Sequence, residues 1–121
     1  MNDCIFCQIV TKKALAHIVY EDSDHLAFLD TFSQSRGHLQ LIPKKHYRWV
    51  WEIPDMGAFF GVAQKIIRGI IPVLKADHVR LAAIGDEVRH AHLWIVPQYK
   101  ANASIGQDKG QLAELLRSAL R

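Results

Sequence analysis

Hydrophobic and polar positions alternate in short runs through the first third of the chain. Residues 17–21 (HIVYE) and 25–30 (HLAFLD) are β-leaning runs separated by Asp22, Ser23 and Asp24, whose short polar side chains favour a turn. Together they predict a hairpin. Residues 33–37 read as loop, and residues 38–43 (HLQLIP) alternate like a third strand. The period then changes. Asp55, after Pro54, is placed to cap a long helix in which Phe59, Ala63, Ile66 and Ile70 recur at helical spacing. Phe60, Ile67 and Ile71 widen that stripe, and Pro72 is expected to end or kink the helix. Residues 79–84 (VRLAAI) and 90–96 (HAHLWIV) predict a fourth and a fifth strand. Leu112, Leu115, Leu116 and Ala119 mark a short amphipathic C-terminal helix. Strands, one long helix and further strands predict an α+β domain with an antiparallel sheet of about five strands.

Composition narrows the class. A chain of 121 residues, half of them hydrophobic and 22% charged, is expected to fold as a single domain over residues 1–121 with its own core. The formal charge of +3 and the pI of about 9.0 suit an anionic ligand. The basic residues are too scattered to argue for nucleic acid, and the pairs Lys12-Lys13 and Lys44-Lys45 read as solvated surface. The first residues lack the basic and apolar stretches of a secretory signal. The longest apolar run, residues 66–74, is broken by Arg68 and Pro72 and is too short to span a bilayer. A cytoplasmic protein without membrane association is therefore expected.

The two cysteines, Cys4 and Cys7, lie too close together to staple the fold. Without an export signal, this spacing points to metal or redox chemistry rather than a structural disulfide. Two thiolates supply half of a tetrahedral site, and no second pair with finger spacing follows. The strand and helix flanks of a thioredoxin-like motif are also absent.

The stretch RHAHLWIVP (89–97) places two histidines in an otherwise apolar strand. Side chains at i, i+2 and i+4 share a face, so His90, His92 and Trp94 point one way, with the imidazoles about 7 Å apart. Ala91, Leu93 and Ile95 point the other way, toward the long helix. Two histidines on one face fit metal binding, nucleophilic catalysis or phosphate contact, as well as a satisfied core pair.

From Gly85 and Val88 through His90, His92 and Trp94 to Pro97, the segment resembles the histidine-triad superfamily signature, three histidines alternating with apolar residues. By that register Trp94 stands where the third histidine should be. Upstream blocks resemble the same family in order and spacing: CIFCQI (4–9), YED (20–22), LAFLD (26–30) and GHLQLIPKKH (37–46).

This resemblance implies transfer or hydrolysis of a nucleoside monophosphate through a nucleotidyl-histidine, on nucleoside phosphoramidates or diadenosine polyphosphates. It implies His92 as the nucleophile and His38 as its supporting neighbour, through an orienting hydrogen bond. Asp30 would accept the ribose hydroxyls, although a turn aspartate would look the same. Ile5, Phe6, Ile9 and Phe28 would line the base pocket, and each also fits plain core. A structural zinc ion would be held by Cys4, Cys7, His46 and His90, leaving His90 unavailable for catalysis.

Departures from the family pattern gather around the phosphate. Trp94 has one N–H donor and cannot serve as an acid. Asp86 and Glu87 occupy a loop where the family presents uncharged groups, and carboxylates there repel phosphate unless turned outward or paired, for example with Arg89. Gln98 follows Pro97 where the family has arginine. A nucleotide-binding or interaction module without strong catalysis is therefore the alternative. The resemblance also implies a homodimer formed through the long helix, residues 55–76, and the last strand. Gly57 and Gly61 would permit close approach of that helix.

Overall fold

The computed structural model describes residues 4–100 and 108–121. Five strands form one antiparallel sheet: β1 (Ile18–Glu21), β2 (His25–Leu29), β3 (Leu39–Pro43), β4 (His78–Ala82) and β5 (Leu93–Gln98), in the order β1-β2-β3-β5-β4. Three α-helices accompany it: α1 (Ile5–Val10), α2 (Met56–Leu74) and α3 (Lys109–Ala119), with a 3-10 turn at Val50–Glu52. The expected sheet, long helix and C-terminal helix are all present. The short helix α1 and the 3-10 turn are additions that the alternation did not indicate.

The two faces of the sheet are covered differently. Ala27, Leu29, Leu39, Leu41, Leu93 and Ile95 form one buried core with Phe59, Ala63, Ile66 and Ile70 of α2 and Leu112, Ala113 and Leu116 of α3. The period-2 alternation sends Leu26, Phe28 and Ile42 to the opposite face, where they pack against Phe6 and Ile9 of α1. The candidate functional residues lie on this second, incompletely covered face.

Helix α2 starts at Asp55, whose side chain accepts from Ala58 N at 2.9 Å. It runs through Pro72 and ends at Leu74, so the proline does not stop it at the expected place. Pro72 is exposed and in the last turn, where its missing N–H costs a single helical bond at the solvent side. Lys75 then closes the helix at φ 57°, and Ala76 N–H reaches back to the Ile71 carbonyl. By length and composition α2 is apolar enough to cross a membrane, yet its stripe of Phe59, Ala63, Ile66 and Ile70 is the centre of the main core.

Strand β5 begins at Leu93, three residues later than expected. The cause lies in β3. Its register with β5 (Leu39 opposite Ile95, Gln40 opposite Trp94, Leu41 opposite Leu93), continued by two residues, would set Ala91 opposite Pro43, which has no N–H to donate. Ala91 N–H bonds the Tyr47 carbonyl instead, at 2.6 Å, and the chain leaves the ladder. The alternation nevertheless persists: His90 and His92 both stand against Phe6, while Ala91 joins the helical core. β5 is also an interior strand, flanked by β3 and β4. The free edge on that side belongs to β4, so the last strand cannot offer the open edge expected of it.

Candidate active site and metal centre

Helix α1 positions the first group of side chains. Cys4 caps it, accepting from Cys7 N at 3.4 Å, so one turn brings both thiols to the same end. His90 and His46 complete the cluster. The Nδ1 of His90 lies 3.5 Å from each sulfur, and the Nδ1 of His46 lies 3.2 Å from Cys7 Sγ. All four donor atoms fall within 4.8 Å of one another. A tetrahedral ion bound at about 2.0–2.3 Å holds its ligands roughly 3.3–3.8 Å apart, and these three sulfur–nitrogen spacings lie close to that range. The tautomer fits too. His90 Nε2 is 2.8 Å from the Pro43 carbonyl, which only accepts, so Nε2 carries the proton and Nδ1 presents its lone pair to the cluster. Burial pushes the His90 pKa down to about 4, which keeps the ring neutral and able to ligate. The residues suit a closed structural site.

Phe6, between the two cysteines in sequence, connects this cluster to a cleft of about 530 Å³. Its ring lies edge-on to Phe28 at 5.3 Å and to His92 at 5.3 Å. The cleft is lined by Ile5, Phe6, Ile9 and Phe28 at an apolar end, by Asp30, and by His92 and Trp94. The structure thus brings all seven together, and it places His38, fully buried, behind Trp94 with ring centroids 4.9 Å apart.

His92 is buried, and its Nδ1 lies 2.7 Å from the His90 carbonyl. The carbonyl only accepts, so Nδ1 holds the proton and Nε2 keeps a free lone pair. The expected orienting bond from His38 to His92 does not form. By the β3–β5 register His38 lies four residues from the level of His92, about 13 Å along the sheet. His38 Nδ1 instead accepts from Gln34 N at 3.1 Å, which leaves its Nε2–H facing Asp30 Oδ2 at 3.7 Å. Burial, with Lys109 adding to it against the pull of Asp30, lowers the pKa of His38 and keeps it neutral.

Further lining residues escaped the sequence reading: Thr31, Phe32, Gln40, Ile84 and Val88. Gln40 carried a usable signal, as the one polar side chain of an apolar strand. Glu87 also lines the cleft, and neither it nor Arg89 has an ion-pair partner among the described residues. Among the described residues the lining contains two carboxylic residues, Asp30 and Glu87, and no lysine or arginine.

The HIT domain family matches residues 11–101. The chain belongs to this family. Cys4 and Cys7 precede the matched segment, so the candidate metal centre joins helix α1 to residues within that segment. The chain is similar to a hypothetical histidine triad nucleotide-binding protein from Sulfolobus tokodaii: 27% identity over 97% of this chain and 91% of that one, TM-score 0.88. A zinc-bound histidine triad protein from Mycobacterium smegmatis has 34% identity over 98% and 94% of the two chains, TM-score 0.86. An adenylylsulfatase of Arabidopsis thaliana is 34% identical over 80% of this chain, which spans about half of that longer protein.

Proposed function

We propose that this HIT domain cleaves nucleoside phosphoramidates or diadenosine polyphosphates through a nucleotidyl-His92 intermediate. The observation that carries this is the His92–His90 carbonyl bond, which leaves the His92 Nε2 lone pair available in a cleft with one apolar end. Nε2 attacks the α-phosphorus and the bond to the leaving group breaks, a phosphate departing as its anion and an amine taking its proton from solvent water. Water then attacks the phosphorus of the His92 adduct, releasing nucleoside monophosphate and restoring neutral imidazole. Ile5, Phe6, Ile9 and Phe28 hold the base, and Asp30 accepts from the ribose. The name of the Arabidopsis relative adds adenylyl sulfate as a substrate to try, since the same phosphorus would be attacked.

Trp94 takes the place of the third histidine in this scheme. Its Nε1–H is buried without a hydrogen-bond partner among the described residues, a donor suited to a phosphate oxygen but unable to protonate a leaving group. Turnover should therefore be slow. We assign zinc to the cluster of Cys4, Cys7, His46 and His90, where it would supply structural cross-linking and no chemistry. Two copies are proposed to pair through the exposed face of α2 and the free edge of β4.

One observation favours a nucleotide-binding module instead: Glu87 and Trp94 line the cleft, and the described lining residues include no lysine or arginine. Hydrolysis of an adenosine phosphoramidate by the intact chain and by His92→Ala separates the two. Turnover lost in the variant supports the enzyme. Nucleotide binding with equal, negligible rates supports the module.

A further inference from the structure

Gln40 is 5% exposed in a strand whose five residues are all buried and otherwise apolar. Its Nε2 donates to Asp30 Oδ2 at 2.5 Å. A carboxylate oxygen accepts, so the nitrogen of the amide must face Asp30, and Oε1 must face away. That oxygen is buried with no hydrogen-bond partner among the described residues. As a fold element Gln40 is therefore a poor choice, because half of its amide is desolvated without compensation and leucine would pack at no such cost.

The retained half of the amide acts on one atom. Asp30 Oδ1 accepts from Phe32 N at 2.7 Å, and Oδ2 accepts from Gln40, so both oxygens are pinned from the protein side. The backbone beneath is pinned as well: Lys109 Nζ reaches the Asp30 carbonyl at 2.7 Å and Ser33 Oγ at 2.9 Å. A carboxylate has about four lone-pair sites, and the bonds from Phe32 and Gln40 use one on each oxygen. The remaining pair is a rigid, two-point acceptor at the edge of the cleft. Two adjacent hydroxyls on one ring are the donor set that matches it.

We propose that Gln40 is a positioning residue that presets Asp30 for the vicinal hydroxyls of a ribonucleotide, making the site selective for ribose over 2′-deoxyribose. This rests on the nucleotide-site assignment made above. Without Gln40 the Asp30 carboxylate is held at Oδ1 alone, by Phe32 N–H, and part of the binding energy is spent on fixing Oδ2.

Titration calorimetry with AMP and 2′-deoxy-AMP tests this on the full chain, on Gln40→Leu, on Gln40→Met and on Asp30→Asn, with melting temperatures for each. The intact chain should prefer AMP. Asp30→Asn should abolish the preference, and Gln40→Leu should reduce it by about fivefold or more while melting no lower than the intact chain. Loss of selectivity without loss of stability is a result that a merely structural glutamine would not give. Should Gln40→Leu fold poorly, Gln40→Met carries the same expectation. Full ribose preference in both Gln40 variants, with its loss in Asp30→Asn, would overturn the proposal and leave the nucleotide site standing. No binding of AMP, or no preference in the intact chain, would overturn the nucleotide-site assignment and this proposal with it.

Discussion

The ring of Phe6 stands edge-on to that of His92, centroids 5.3 Å apart and planes at 88°. Phe6 lies between Cys4 and Cys7 in sequence, on the helix that those thiols tie to His46 and His90. The candidate metal centre therefore holds one wall of the cleft against the candidate nucleophile.

Stripping the metal should consequently damage two properties together. Chelation, or Cys7→Ser, is expected to lower the melting temperature by about 10 °C or more and to weaken nucleotide binding. Thermal melts and calorimetry on the same samples check this. Unchanged binding after a large fall in melting temperature would show that α1 does not form the pocket wall.

Trp94→His should restore a group able to protonate the leaving group. Turnover of an adenosine phosphoramidate is expected to rise by roughly 10²-fold or more. Single-turnover rates under saturating enzyme read this directly, and an unchanged rate would remove Trp94 as the cause of slow chemistry.

Glu87 lines the cleft without an ion-pair partner among the described residues, and its charge opposes an anionic ligand. Glu87→Gln should tighten AMP binding by about threefold, with the gain shrinking at high salt. Equal affinities at low salt would mean that this carboxylate faces away from the phosphate.

Beside His90, whose pKa burial pushes down to about 4, His38 contributes to the sensitivity of the fold to acid. In the unfolded chain histidine titrates near 6.5. In the fold burial lowers its pKa, with Lys109 adding to the shift and Asp30 opposing it. Between the two values the unfolded state binds more protons, so stability is full above about pH 6.5 and falls as pH drops toward the folded value. Urea midpoints from pH 7.5 to 5.5 should fall more steeply for the intact chain than for His38→Gln. Parallel slopes would contradict the assignment. Glu21, held low by Lys44 and Lys12, acts only below the ordinary carboxylate range and does not enter this window.

The period of each segment made the fold legible. Asp55 as a cap, the stripe from Phe59 to Ile70 and the hairpin turn at residues 22–24 are local signals, and each sits where expected. The site was legible through side-chain type: the two cysteines and the alternating histidines converge as spacing and resemblance implied. What failed was non-local. No local pattern reveals that Pro43, on another strand, cuts the β5 ladder at Leu93, or that the register puts His38 out of reach of His92. Pro72 misled because its cost depends on which helix face it occupies. Gln40 was overlooked because a single polar residue in a strand reads as an interruption until its partner, Asp30, is known.

The most direct measurement is the intact mass of the protein, quenched within one turnover of an adenosine phosphoramidate. The chain should carry one added adenylyl group, and His92→Ala should carry none. An unmodified intact chain that nonetheless releases AMP, or an adduct that persists in His92→Ala, would contradict nucleophilic attack by His92.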